Sequence, residues 1–181
     1  IKTLTSGETG AVHIPRFRKE IDDRAEESEW YSVGLPVDIV FFEGWCVSAR
    51  AESGASLSEA INTFEAESDA EGDWRRYVNT CLEGEYRNLF AMVDHTIMLR
   101  VPCFDCILKW RMEQECKLRL QCEAFADGAK HHFMSEAELR HFIAHFERLT
   151  RWMLKDMPSF ADVILDFNED RSFKDLMIIN G

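Results

Sequence analysis

Apolar and polar positions alternate along this chain between short runs that read as buried strands and longer stretches with helical spacing. Ala11-Val12-His13-Ile14, set between Gly10 and Pro15, predicts a short strand. A densely charged stretch from Arg18 to Glu29 follows and closes at Trp30. Pro36 to Gly44 carries the run Ile39-Val40-Phe41-Phe42 and ends in Glu43 and Gly44, which predicts a strand buried on both faces. Residues 50–72 are small, polar and acidic, a surface excursion with one short helix near Leu57–Phe64. From Trp74 to Met92, Tyr77, Val78, Leu82, Tyr86, Leu89 and Phe90 recur at helical spacing. Thr96-Ile97-Met98-Leu99 predicts another buried strand, and Pro102 ends it before a long helix from about Cys103 to Cys122.

Ser135 and Glu138 spell a capping box, and the helix they open carries Leu139, Phe142, Ile143, Phe146, Leu149 and Met153 on one stripe. Val163-Ile164-Leu165 and Leu176-Met177-Ile178-Ile179 predict two further strands. The expected fold class is α/β, with the runs at 37–42, 96–100 and 162–166 as neighbouring parallel strands. Helices near 74–92, 103–122 and 135–155 are expected to flank them, as a single domain over residues 1–181.

Composition narrows the partners. The 181 residues are 46% hydrophobic and 30% charged, the balance of a globular chain rather than a disordered one. The net charge of −12 repels phosphate backbones and anionic headgroups, which argues against nucleic acid and membrane as partners. A local basic pocket for a small anionic substrate remains compatible with such a surface. No apolar run approaches the length of a membrane span, and neither a span nor a secretory leader is expected. The six cysteines lack the regular spacing of a disulfide framework, so a reduced, cytoplasmic setting is expected. The chain begins at Ile1 rather than Met, and a further stretch upstream is expected.

Candidate chemistry starts at Glu43. In parallel-sheet proteins ligands collect where strands run out, and an acid there can hold a magnesium-bound water or orient a hydroxyl. Cys103-Phe104-Asp105-Cys106 has the C-x-x-C spacing of zinc and redox sites, but it lacks a second close ligand pair and is expected to be buried structural thiol. His141 and His145 lie one helical turn apart without the Glu of the metallohydrolase motif, and are expected on the flank of their helix.

Several collinear motifs carry a resemblance. Arg16-Phe17-Arg18-Lys19, Asp22-Asp23-Arg24, Trp30 and Phe42-Glu43-Gly44-Trp45 come first. Leu99-Arg100-Val101-Pro102, Lys109 to Glu115 and Met134 to Glu138 follow in order. Together they resemble the P-loop D-glycerate kinases and their kinase-like relatives, akin to uridine kinase, pantothenate kinase and phosphoribulokinase. The resemblance implies a P-loop NTPase-like sheet flanked by helices, ATP and magnesium as cofactors, and a small hydroxy acid such as glycerate as substrate. It implies that Glu43 closes the Walker B strand and serves the metal. Arg111 would belong to the lid, and Arg16, Lys19 and Arg24 to the acceptor side, where always-charged donors meet carboxylate or phosphate.

Three departures qualify the resemblance. Arg18 stands where the family usually has Asp, and Ser48 where Gly is usual. None of the nine glycines is followed by Lys, so these residues contain no Walker A loop. The expected fold is therefore incomplete on its N-terminal side, with phosphoryl transfer dependent on a loop found elsewhere. The alternative is a non-catalytic module that acts by binding or by assembling into a homo-oligomer, since a sheet lacking its P-loop strand exposes apolar surface.

Overall fold

A computed structural model describes residues 1–18, 23–125 and 133–179. The chain packs as two compact units, Ile1–Trp45 and Cys46–Gly181.

In the first unit β1 (Gly10–Ile14) pairs with a later strand across an intervening small hairpin. That hairpin is β2 (Phe17–Arg18) against β3 (Asp23–Arg24), antiparallel, with Phe17 opposite Arg24. A single turn of 3-10 helix, Glu27–Glu29, leads to β4 (Tyr31–Leu35), which pairs antiparallel with β1 in the register Val12–Val33. Val12, Ile14, Val33 and Leu35 are the half-buried positions, which is the period-2 alternation of a sheet with one covered face. The indole N–H of Trp30 donates to the carbonyl of buried Ala25 at 2.9 Å and closes the charged stretch over the hairpin.

The strand expected over 37–42 does not form. Residues 36–44 are irregular, and Ile39 and Phe41 are 72% and 85% exposed. An apolar run becomes a buried strand only when neighbours pair with its backbone on both sides, and no described strand does so here. Local composition is blind to that condition.

The second unit opens with a 3-10 turn, Gly54–Leu57, then α1 (Thr63–Ser68), α2 (Asp73–Glu83) and α3 (Glu85–Phe90). Asn62 caps α1 by accepting from the Glu65 amide at 2.9 Å. The single helix expected over 74–92 is broken at Gly84, whose amide bonds back to Thr80 and Cys81 while α3 restarts behind it.

Strand β5 (Ile97–Arg100) precedes the long α4 (Phe104–Phe125) and α5 (Glu136–Asp156), and β6 (Val163–Phe167) and β7 (Phe173–Ile178) end the chain. The Ser135–Glu138 capping box is present in full at the start of α5. The sheet order is β5-β6-β7, with β5 and β6 parallel in the register Met98–Ile164. Strand β7 returns antiparallel on β6, so the sheet is mixed rather than largely parallel. The fold class is α/β, a small mixed sheet flanked by helices.

The core of this unit is Met98, Met157, Ala161 and Ile164, with Met153, Leu154, Phe160 and Met177 packed around it. On α5 the buried stripe runs through Leu139 and Ile143, while Phe142 is exposed, with its ring against that of Phe146. Among the described residues no helix is long and apolar enough to cross a membrane.

Candidate functional site

Parallel strands β5 and β6 end side by side, and Arg100 and Asp166 at these ends define the site. Arg100 closes β5 and lies in register opposite Asp166 of β6. Nε of Arg100 donates to Oδ1 at 2.5 Å and Nη2 to Oδ2 at 2.7 Å, a two-pronged ion pair that leaves the Nη1 edge of the guanidinium facing away from the carboxylate. The guanidinium hydrogen bond holds the Asp166 carboxyl below its ordinary range, with the charge of Lys174 adding to it. The same hydrogen bond holds Arg100 more firmly protonated. Around the pair lies a cavity of about 430 Å³, walled by Val101 and Pro102, by Phe167, Asn168 and Glu169, and by Leu154 and Lys174. The exposed lining is more polar than apolar, with Arg100, Lys174, Asp166 and Glu169 all on it, which suits a small polar ligand at the carboxyl ends of strands.

Helix α4 is tied down beside this cavity. The Trp110 indole N–H donates to the Glu169 carbonyl at 2.7 Å, and Arg171 pairs with Glu113. Both contacts join α4 to the turn between β6 and β7. Arg111, on the same helix, bonds to Gln114 and lies 3.5 Å from Glu115, with its Nε buried and unpartnered among the described residues.

A second polar centre is buried in the helical part. Arg148 of α5 donates to both carboxylate oxygens of Glu65, at 2.8 and 2.7 Å, and to the carbonyls of Ser56 and Glu59. Its guanidinium also lies 3.8 Å from Glu52. Arg75 of α2 donates to the Leu57 carbonyl and pairs with Asp69 at 3.2 Å. Burial alone would raise the Glu65 carboxyl, but hydrogen bonds from Arg148 and the Ile61 amide, with the charges of Arg148 and Arg75, bring it below its ordinary range. Every group in this centre is matched, and its evident work is to fasten residues 52–65 to α5.

The residues singled out in the sequence fall as follows. Arg16 and Arg24 are neighbours: the Ala25 amide donates to the Arg16 carbonyl at 2.8 Å, and the Arg16 guanidinium sits 5.8 Å from the Tyr31 ring centroid. Lys19 lies outside the described residues. Glu43 is exposed in the irregular segment of the first unit, and Arg111 belongs to the second. Ser48, where Gly is usual in the resembled family, adopts φ 63°, the left-handed backbone that Gly favours.

Sequence reasoning passes over Arg100 and Asp166 as chemistry. The signal is present, because Val163-Ile164-Leu165-Asp166 is an apolar run ending in an acid, the same pattern that draws attention to Glu43. Of the cysteine pair expected to be buried, only Cys106 is, and Cys103 is exposed. His141 and His145 pack around the Phe64 ring, and no cluster of three metal-ligating side chains occurs among the described residues.

The residues present do not by themselves complete a site for ATP with magnesium. The chain has no Gly-Lys-Ser/Thr loop, and Glu43 stands in an irregular segment and belongs to no group of three or more metal-ligating side chains among the described residues.

Comparison with known proteins matches the resemblance. No protein-family model matches the chain. It is 21% identical over 173 residues to the chloroplastic D-glycerate 3-kinase of Arabidopsis thaliana, covering 89% of this chain and 34% of that enzyme. The solved D-glycerate 3-kinase of Cryptococcus neoformans var. grubii superimposes with a TM-score of 0.70 at 20% identity, over 93% of this chain and 60% of that one. The solved YGR205w protein matches with a TM-score of 0.61 at 15% identity, over 99% of this chain and 62% of that one. The chain thus spans about a third of the length of the plant enzyme and three-fifths of each solved structure. The resemblance to the D-glycerate kinases is borne out in sequence and in fold.

Proposed function

We propose that this chain forms the non-P-loop part of an ATP-dependent kinase acting on a small hydroxy acid such as D-glycerate. The observation that carries the reading is the likeness to D-glycerate 3-kinases along nearly the whole chain, in sequence and in fold together. Phosphoryl transfer then requires a phosphate-binding loop that these 181 residues do not contain. ATP and magnesium supply the transferable phosphoryl group and its charge neutralisation once that loop is in place. Glu43 assists magnesium or positions the acceptor. Arg111 meets developing negative charge from the lid, and Arg16, Lys19 and Arg24 hold the carboxylate of the acceptor. The setting is cytoplasmic, with neither nucleic acid nor membrane as partner.

Two measurements test this. Calorimetric titration of the chain alone with magnesium ATP gives weak binding or none; low-micromolar affinity means that another site replaces the loop. In a protein carrying the loop, Glu43→Gln lowers turnover on D-glycerate roughly a hundredfold, and Arg111→Ala also slows it. Wild-type turnover in Glu43→Gln removes that residue from the reaction.

The second reading is a non-catalytic module that assembles with itself. Ile97 and Leu99, 53% and 63% exposed on β5, whose outer edge carries no described partner strand, favour it. Sedimentation of the chain decides: a stable dimer that binds no nucleotide supports the module, and a monomer removes it.

A further inference from the structure

Cys103 and Cys106 are placed for chemistry that the kinase reading does not use. Cys103 is the residue immediately before α4 and is exposed, while Cys106 lies in the first turn and is 5% exposed. Their sulfurs are 3.1 Å apart, closer than two unbonded sulfurs rest without a hydrogen bond, so one thiol donates to the other. Phe104, between them, is buried under the Arg151 guanidinium, 5.0 Å from its ring centroid, which fixes the first turn. Among the described residues no third ligand is gathered beside them, and the chemistry open to the pair as placed is that of two thiols.

We propose that Cys103 and Cys106 form a reversible oxidation site, a dithiol that a low-molecular-weight disulfide converts to an intramolecular disulfide. Burial, then the hydrogen bond with Cys103, pushes the Cys106 thiol up to about 11, so Cys106 keeps its proton and donates it toward the Cys103 sulfur. Cys103, exposed just before the first turn of the helix, is the sulfur that a small disulfide in solvent can reach. The Cys103 thiolate attacks one sulfur of the small disulfide; a mixed disulfide forms and one small thiolate leaves. Cys106 gives its proton to solvent, its sulfur attacks that of Cys103, and the second small thiolate leaves. Two protein thiols are oxidised and one disulfide is reduced to two thiols, so electrons and protons balance.

The test uses glutathione disulfide on the whole chain, followed by alkylation and tryptic mass mapping. Cleavage after Arg100 and Lys109 yields a peptide holding these two cysteines and no other. The expected product is that peptide short of two hydrogens and unalkylated, restored by reduced glutathione. Cys106→Ser, with Cys106→Ala as the variant that suits a buried site, traps one glutathione on Cys103. Cys103→Ser leaves Cys106 as an alkylatable thiol. A glutathione adduct persisting on wild-type Cys103, a bridge from Cys103 to another thiol of the chain, or two thiols unchanged after exposure overturns the proposal.

Discussion

Ser48 holds a φ of 63° while only 7% exposed, so a Cβ-bearing residue occupies a backbone that L-residues enter at a cost of about 1–2 kcal/mol. Ser48→Gly removes that strain and returns part of it as chain entropy in the unfolded state. The expected net is a gain of about 0.5–1 kcal/mol in urea denaturation. A loss would show that the side chain stabilises the turn by more than the backbone strain. This position is legible in the amino-acid sequence, because the resembled family usually has Gly there. Glu43 and Asp166 teach the opposite lesson at the same scale. Both end apolar runs, yet only Asp166 sits at the end of a formed strand, opposite Arg100. What separates them is the presence of a paired neighbour, and no residue type reports that.

Among the elements, α5 shows how periodicity can be read correctly and still miss the decisive contact. Leu139 and Ile143 lie on the expected stripe, and the capping box is written in Ser135 and Glu138. Arg148 reads as solvent face by composition, yet it is buried and fastens residues 52–65 to the helix through Glu65 and two carbonyls. Arg148→Met strands the Glu65 carboxylate and is expected to cost about 3–5 kcal/mol. Adding Glu65→Gln to that variant recovers part of the loss in thermal melts; no recovery would mean that the two carbonyl contacts dominate.

The same pair gives stability a pH dependence. Glu65 is lowered in the folded state, so its contribution is fully present above its unfolded value of about 4.5 and is lost as pH falls through the lower folded value. In the Arg148→Met variant the acid-side decline of urea stability is shallower than in the wild type. An unchanged slope would place the titration elsewhere.

For the molecule as a whole, the ladder between β5 and β6 joins residues 66 positions apart, Arg100 to Asp166, across two long helices. Strands β6 and β7, by contrast, are joined by a short turn and pair antiparallel. Contacts so unequal in chain separation are not made at the same moment, since closing the larger loop must await the helices that span it. The hairpin of β6 and β7 with the end of α5 is therefore expected to form first, and β5 to dock last. Arg100→Gln, which weakens only the late contact, should speed unfolding and leave the folding arm of a chevron almost unmoved. A slowed folding arm would put the long-range ladder in the nucleus. The strand ends that shape the cavity would then be the last part of this unit to be built and the first to be lost, so the rate at which that cavity disappears under denaturant serves as a clock for the unfolding of the sheet.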